Sequence, residues 1–341
     1  MLNFSTSVFL TAIGSLLIEP STAVLPYLCG VSLAGYEFGI SPFASTPNPE
    51  PPSERQISHF IDQGANVLRV PISWETIQPT LNQALSSSVE KNFSSYISQI
   101  TSKGAYAIVD IHNYARYNGK VIGESSEVSA AALVDLWTRL SKLYQNNLKV
   151  IFGLMNEPHD LNAATWAKTL QETVNGIRQA GATNVILLPG ESYSSLQIFS
   201  TVYSELKEIK NPDGSTEGLV FEFHRYLDSD GSGSSRECTS DRVSEIQAAA
   251  KILSADKRQA IITETGGGST QSCQTLLPKF FQAIKDSSSS IVGGVMWGAG
   301  SFDHSPNYEL LVTAINSSSP TGYQDQSNWL SIKKFLPGVE K

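Results

Sequence analysis

Short, nearly continuous apolar runs recur along the chain at Val31 to Phe38, Val67 to Ile72, Ala105 to Ile111, Val150 to Met155, Asn184 to Leu188, Leu219 to Phe223, Gln259 to Thr263 and Ile291 to Trp297. Runs of this length, bounded by turn residues, read as buried strands. Between them the period changes to that of helices, as in "ALVDLWTRLSKLYQ" and "TWAKTLQETVNGIRQAG". In the first, Leu133, Leu136, Leu140 and Leu143 recur at helical spacing, which predicts one apolar stripe. The second ends on Gly181, a C-cap signal. Eight strands each followed by a helix is the count of an α/β fold of the (β/α)8 TIM barrel type, built as a single domain. The 341 residues exceed the ~250 usual for that fold and leave room for long loops. A doubly wound open sheet is the other α/β solution, but no Gly-x-Gly-x-x-Gly follows the first strand. The Pro-rich "STPNPEPPSE" is short and reads as a loop into the first helix.

Barrels of this kind hold their chemistry at the C-terminal strand ends, and here those ends are polar. The second carries Arg69 and Trp74, the third His112 and Asn113, and the fourth Asn156 and Glu157. The sixth carries His224 and Tyr226, the seventh Glu264 and the eighth Trp297. The stretch "VIFGLMNEPHD" is the most telling, because an apolar strand ends on an amide, an acid and a proline. Across a barrel mouth Glu157 and Glu264 would face each other. Two such carboxyls suit glycosidic cleavage, one as a protonated acid and one as an anion. Arg69 and Tyr226 are placed to keep Glu264 ionised, and Trp297 offers a flat face to a sugar ring. The histidines come singly, without ligand spacing, so neither a metal nor another cofactor is expected.

Composition narrows the partners. A net charge of -8 without basic runs excludes nucleic acid and an anionic membrane surface as natural targets. The apolar run Val8 to Ile18, followed by Ser21-Thr22-Ala23, reads as a secretory signal over residues 1–23, although residues 1–7 lack the usual Lys or Arg. Residues 24–341 then form one extracellular catalytic domain. Of three cysteines, Cys238 and Cys273 fall on loops at the same end of neighbouring strands and are paired here, although three cysteines permit other pairings. Cys29 precedes the first strand and reads as a buried free thiol. Asn92 and Asn316 open glycosylation sequons.

The motifs "GLMNEPHD", "HNYARYNG", "HRYLDSDGSG", "ITETGGG" and "WGAGSFD", in that order, resemble glycoside hydrolase family 5, in particular its secreted fungal-type endo-β-1,4-glucanases. The resemblance spans essentially the whole chain after the leader. It implies Glu157 as acid/base, Glu264 as nucleophile and Asn156 as the ligand of the sugar 2-hydroxyl. It further implies Arg69 and Tyr226 as partners of the nucleophile, His112 and His224 as positioning groups and Trp297 as the stacking floor. A retaining, monomeric enzyme acting on β-glucan is the expectation, with Tyr114, Tyr117 and Tyr193 as further sugar contacts.

The chain also departs from that pattern. Ser32 stands where relatives commonly carry Asn, Tyr117 where Trp is frequent, and Glu191 where an amide is usual. A β-mannanase or mixed-linkage glucanase remains the alternative enzyme, and a silent glucan-binding barrel the alternative of another class. Among the less informative residues, His159 reads as a structural or loop residue. Gly266 to Gly268 read as a turn needing unusual φ.

Overall fold

The computed structural model describes residues 25–41 and 44–338. The expected secretory segment, residues 1–23, lies outside them. Eight parallel strands close into a barrel: β1 (Leu28–Ala34), β2 (Val67–Ile72), β3 (Tyr106–Ile111), β4 (Val150–Gly153), β5 (Ile186–Pro189), β6 (Leu219–His224), β7 (Ala260–Thr265) and β8 (Ile291–Gly300). Each pairs with its neighbours in chain order, and β1 closes the ring against β8. The helices that alternate with them are α1 (Arg55–Ile61), α2 (Ser87–Ser102), α3 (Ala130–Tyr144), α4 (Ala163–Gln179), α5 (Phe199–Leu206), α6 (Val243–Ala255), α7 (Gln271–Asp286) and α8 (Ser327–Ile332).

The first strand begins earlier than its apolar pattern suggests, so Cys29 lies within β1 rather than before it. Gly30 interrupts the apolar run yet belongs to the strand. A Cβ there would lie 1.8 Å from the Val67 carbonyl oxygen, so glycine lets β1 close on β2. Cys29 is buried and free, and burial pushes its thiol up to about 12. In α3 the buried stripe is Leu133, Leu136, Trp137, Leu140 and Tyr144. Leu143, expected in that stripe, is 41% exposed, because 3.6 residues per turn carries the buried face on to position 144. Trp137 and Trp166 donate indole N–H bonds to the Leu154 and Pro189 carbonyls, tying α3 and α4 to strand ends. Asn162 caps α4 by accepting from the Thr165 amide.

Inside the barrel the floor is apolar, built from Leu28, Val67, Ile108, Ile151, Leu187, Val220 and Ile261 among others. Strand side chains alternate between faces, so each inward position recurs two residues on. That step carries Val67 to Arg69, Ile108 to Asp110, Val220 to Glu222 and Ile261 to Thr263. A dry floor beneath a polar ring is the result. The mouth above that ring holds the candidate site. No helix among the described residues is long and apolar enough to cross a membrane.

Candidate active site

Pairing between β6 and β7 slips between Phe223 and His224, so that His224 lies opposite Glu264. Such bulges re-aim side chains at barrel rims, and Glu264 points across the mouth. Its Oε2 accepts from Arg69 Nη1 at 2.9 Å and its Oε1 from the Tyr226 hydroxyl at 2.7 Å. Arg69 is fully buried, and its Nη2 also donates to Asn156 Oδ1 at 2.7 Å and meets Asp110 Oδ2 at 3.0 Å. Burial alone would push the Glu264 carboxyl up. The charges of His224, Arg69 and His112 and the Tyr226 hydroxyl outweigh it and hold that carboxyl below its ordinary range.

Glu157 is held differently. It follows β4 with φ +44°, immediately before Pro158, in a region that L-residues and pre-proline positions both avoid. Its Oε1 faces His224 Nδ1 at 2.8 Å, and its side chain keeps 19% exposure. Burial disfavours a charged His224, but the Glu264 charge and the carboxylates of Glu157 and Glu222 raise its pKa to about 10. Oxygens of Glu157 and Glu264 and a ring nitrogen of His224 all lie within 4.8 Å of one another. The Nδ2 of Asn156 is buried with no hydrogen-bond partner, a donor left for something else.

Aromatic rings frame the pair. His112 stacks on Trp297 with centroids 5.5 Å apart and planes at 17°, and His112 Nδ1 is held by Asp110 Oδ2 at 2.9 Å. Trp297 donates its indole N–H to the Tyr308 hydroxyl at 2.8 Å, and Tyr308 itself stacks on Phe302. Tyr114 lies edge-on to His112 and His159. On the same rim Tyr193 stacks on His159 at 4.4 Å and 6°, so His159, expected to be a structural or loop residue, supports an exposed ring. Ser192, Tyr193 and Ser194 all have positive φ, a tight left-handed turn that carries the ring. The Glu191 carboxylate accepts from the Ser192 hydroxyl at 2.6 Å.

Tyr117 does not join them. Its ring packs edge-on against buried Trp74 and its hydroxyl donates to the Pro79 carbonyl at 2.7 Å, leaving it 5% exposed. The hairpin of Arg116–Tyr117 and Lys120–Val121 folds the ring inward, correcting its expected role as a sugar platform. The glycine run also differs from expectation, since none of Gly266, Gly267 and Gly268 has positive φ. Gly267 is required by close approach instead. A Cβ there would lie 2.4 Å from Cys238 Sγ and 2.5 Å from Cys273 Sγ. Those two cysteines form the expected disulfide.

Several site residues escaped the sequence reading. Asp110, Glu222 and Thr263 lie in the polar ring, and Tyr308 buttresses the tryptophan. For Asp110 and Glu222 the signal was the two-residue step: Asp110 precedes His112, and Glu222 precedes His224, on the same inward face. Glu37 was also missed. It is buried in the loop after β1, where its Oε2 accepts from the Gly35 amide at 2.7 Å, and burial pushes its carboxyl up to about 7. Ser32 lies in register with Arg69, and its buried hydroxyl has no partner.

A clamped carboxylate facing a second one that is hydrogen-bonded to a histidine, beside an aromatic floor, is the apparatus of glycosidic bond cleavage; the molecule is a glycoside hydrolase of the barrel class. The model of the cellulase family, glycosyl hydrolase family 5, matches residues 30–301, and the chain belongs to that family. It is 41% identical to Endoglucanase 1 of Saitozyma flava, over 92% of this chain and 91% of that protein. It is 40% identical to the manganese dependent endoglucanase Eg5A of Phanerodontia chrysosporium, over 93% of this chain and 82% of that protein. The crystal structure of Cel5A (EG2) from Hypocrea jecorina superposes with a TM-score of 0.85 at 38% identity, covering 90% of this chain and 98% of the other.

Proposed function

We propose that this chain is a secreted, monomeric endo-β-1,4-glucanase that cleaves β-glucan with retention of configuration. The observation that carries the stereochemistry is the approach of Glu157 and Glu264 oxygens to within 4.8 Å. Carboxyls about 5–5.5 Å apart leave room for direct attack, whereas inversion needs the larger gap that admits a water.

In the first step Glu264 attacks the anomeric carbon while Glu157 gives its proton to the departing oxygen. Arg69 and Tyr226 keep Glu264 ionised until it attacks and hold it in line. The free Nδ2 of Asn156 is placed to donate to the sugar 2-hydroxyl. In the second step Glu157, now a carboxylate, takes a proton from water as that water displaces Glu264. Trp297 supplies the stacking face, with Tyr114 and Tyr193 as outlying contacts. The reading includes a leader over residues 1–23 removed on export, with Asn92, exposed on α2, and Asn316 as sites for glycans.

The manganese dependence named for one relative does not transfer to the trio of Glu157, His224 and Glu264. A metal needs a lone pair on the imidazole, and the His224 nitrogen that faces the two carboxyls, Nδ1, is already engaged by Glu157 Oε1 at 2.8 Å. Both oxygens of Glu264 already accept hydrogen bonds.

Proton NMR of early products from a soluble cello-oligosaccharide tests the reading. A β-configured new reducing end is expected. An α-configured end would reject the retaining mechanism. Preferential release from manno-oligosaccharides would reject the glucanase, and no product from either would favour a binding protein.

A further inference from the structure

Behind Glu157 runs a line of hydrogen bonds that the two steps above leave unused. His224 presents Nδ1 to Glu157, while its Nε2 lies 3.1 Å from Thr263 Oγ1. Thr263 in turn donates to Glu222 Oε1 at 2.5 Å. A hydroxyl has one proton, so with that proton committed to Glu222 the oxygen accepts from His224 Nε2–H. Nε2 is thereby protonated, and any proton exchanged with Glu157 moves at Nδ1.

Glu222 is 1% exposed, and its Oε2 is buried with no hydrogen-bond partner. A buried carboxylate with so few donors depends on nearby cations. Those facing it are His224, whose Nε2 is 3.8 Å from Oε1, and Arg69 on β2. The other charged groups around His224 are Glu157 after β4, Glu264 on β7 with Oε2 3.8 Å from Nδ1, and Asp110 on β3.

We propose that Glu222, acting through Thr263, is a positioning residue that fixes the Nε2–H form of His224 and holds one shared proton on the Glu157–His224 pair. This rests on the reading of Glu157 as acid/base. In the first step the shared proton leaves Glu157 with the departing sugar oxygen. In the second, a proton from the attacking water replaces it, so the pair ends as it began. Glu222 and Thr263 touch neither sugar nor water. Their part is to keep the imidazole oriented and electrostatically favoured as a proton holder, and the raised His224 pKa agrees with that.

The test compares pH profiles of kcat/KM on an aryl cellobioside for the parent, Glu222→Gln, Thr263→Val and Thr263→Ser. Loss of the Glu222 charge or of the bridging hydroxyl is expected to move the alkaline limb down by about one pH unit or more. Thr263→Ser, which keeps the hydroxyl, leaves the limb in place. Profiles that differ in height but share the parent's alkaline limb would overturn the proposal, since packing alone would explain them. Nitrogen NMR of His224 in the parent gives a second reading that needs neither turnover nor a variant. Both ring nitrogens protonated at pH 8 is expected, and a neutral ring bearing its proton on Nδ1 would also overturn the proposal. A parent that does not turn over the cellobioside would instead count against the functional reading, and the NMR result would still decide the relay.

Discussion

Glu264 accepts hydrogen bonds on both oxygens, from the fully buried Arg69 and from Tyr226, at a slip in the pairing of its strand. Glu157, within 4.8 Å of it, leans on a histidine from a left-handed backbone position and keeps 19% of its side chain exposed. One carboxyl is surrounded by fixed positive charge and donors; the other faces a group that can take or return a proton. A nucleophile must be ionised and aimed, whereas an acid/base must change state twice in each cycle. On the proposed reading, the difference in surroundings, not in side chain, separates the two duties.

Removing each carboxyl breaks the comparison most sharply. Glu264→Ala should lose turnover by about 10^4-fold or more, because nothing replaces the attacking oxygen. Azide should restore part of it and give an α-glycosyl azide. Glu157→Ala should lose roughly 10^2–10^4-fold on unactivated glucan, the usual worth of general acid–base help. On a substrate with a good leaving group azide should rescue it to the β-glycosyl azide. The same anomer from both variants would erase the distinction.

A smaller effect is expected from Tyr226→Phe, which removes one donor from a charged acceptor. Such bonds contribute about 1.5–3 kcal/mol, so kcat should fall by roughly 10- to 150-fold with KM little changed. A loss confined to KM would mean that Tyr226 serves the sugar rather than Glu264.

The two sides also differ in how they answer to pH. The depressed Glu264 pKa means its contribution to stability is present above the ordinary carboxyl range and is lost as pH falls through the folded value. His224 behaves oppositely. Its folded pKa of about 10 exceeds the unfolded ~6.5, so its contribution is complete below about 6.5 and is lost as pH rises through 10. Thermal midpoints should therefore fall toward both extremes. Glu264→Gln, by removing the largest favourable influence on His224, should move the alkaline fall to lower pH. An unchanged alkaline midpoint would show that the two sides are not coupled.

The smallest effect concerns Glu37, beside the site but in neither role. Its folded value of about 7 lies above the ordinary 4.5, so a destabilising cost grows as pH rises through that interval. Glu37→Gln should be more stable than the parent at pH 8, by ~1 kcal/mol or more, and should show no such gain at pH 4. Denaturant unfolding at the two pH values would check it.

The barrel was legible because strand and helix periods alternate without interruption, and so were the residues at strand ends. Arg69, Asn156, Glu157, His224, Tyr226, Glu264 and Trp297 all come together at one mouth. What escaped was set by loop path and by the layer below. Tyr117 looked like a platform until a hairpin turned it onto Trp74, and no local pattern reports where a hairpin folds. Gly267 looked like part of a turn needing unusual φ, whereas its reason is a pair of sulfur atoms supplied from Cys238 and from α7. Glu222 sits inside an apolar-looking strand, and only the two-residue step to His224 would have marked it; Thr263, adjacent to Glu264, shares the mouth with it only because the strand pairing there is irregular.

With Glu157 in its proposed role, the left-handed kink there sets activity against thermodynamic comfort. A glutamate before a proline at positive φ holds strain of roughly 1–3 kcal/mol, which glycine or asparagine would carry more easily. A descendant freed from cutting glucan would thus meet a standing incentive to mutate that very codon, since the first inactivating step would relax the backbone. Loss of catalysis in such a lineage would be steep and hard to reverse, with the barrel around it persisting intact as a fossil of the enzyme.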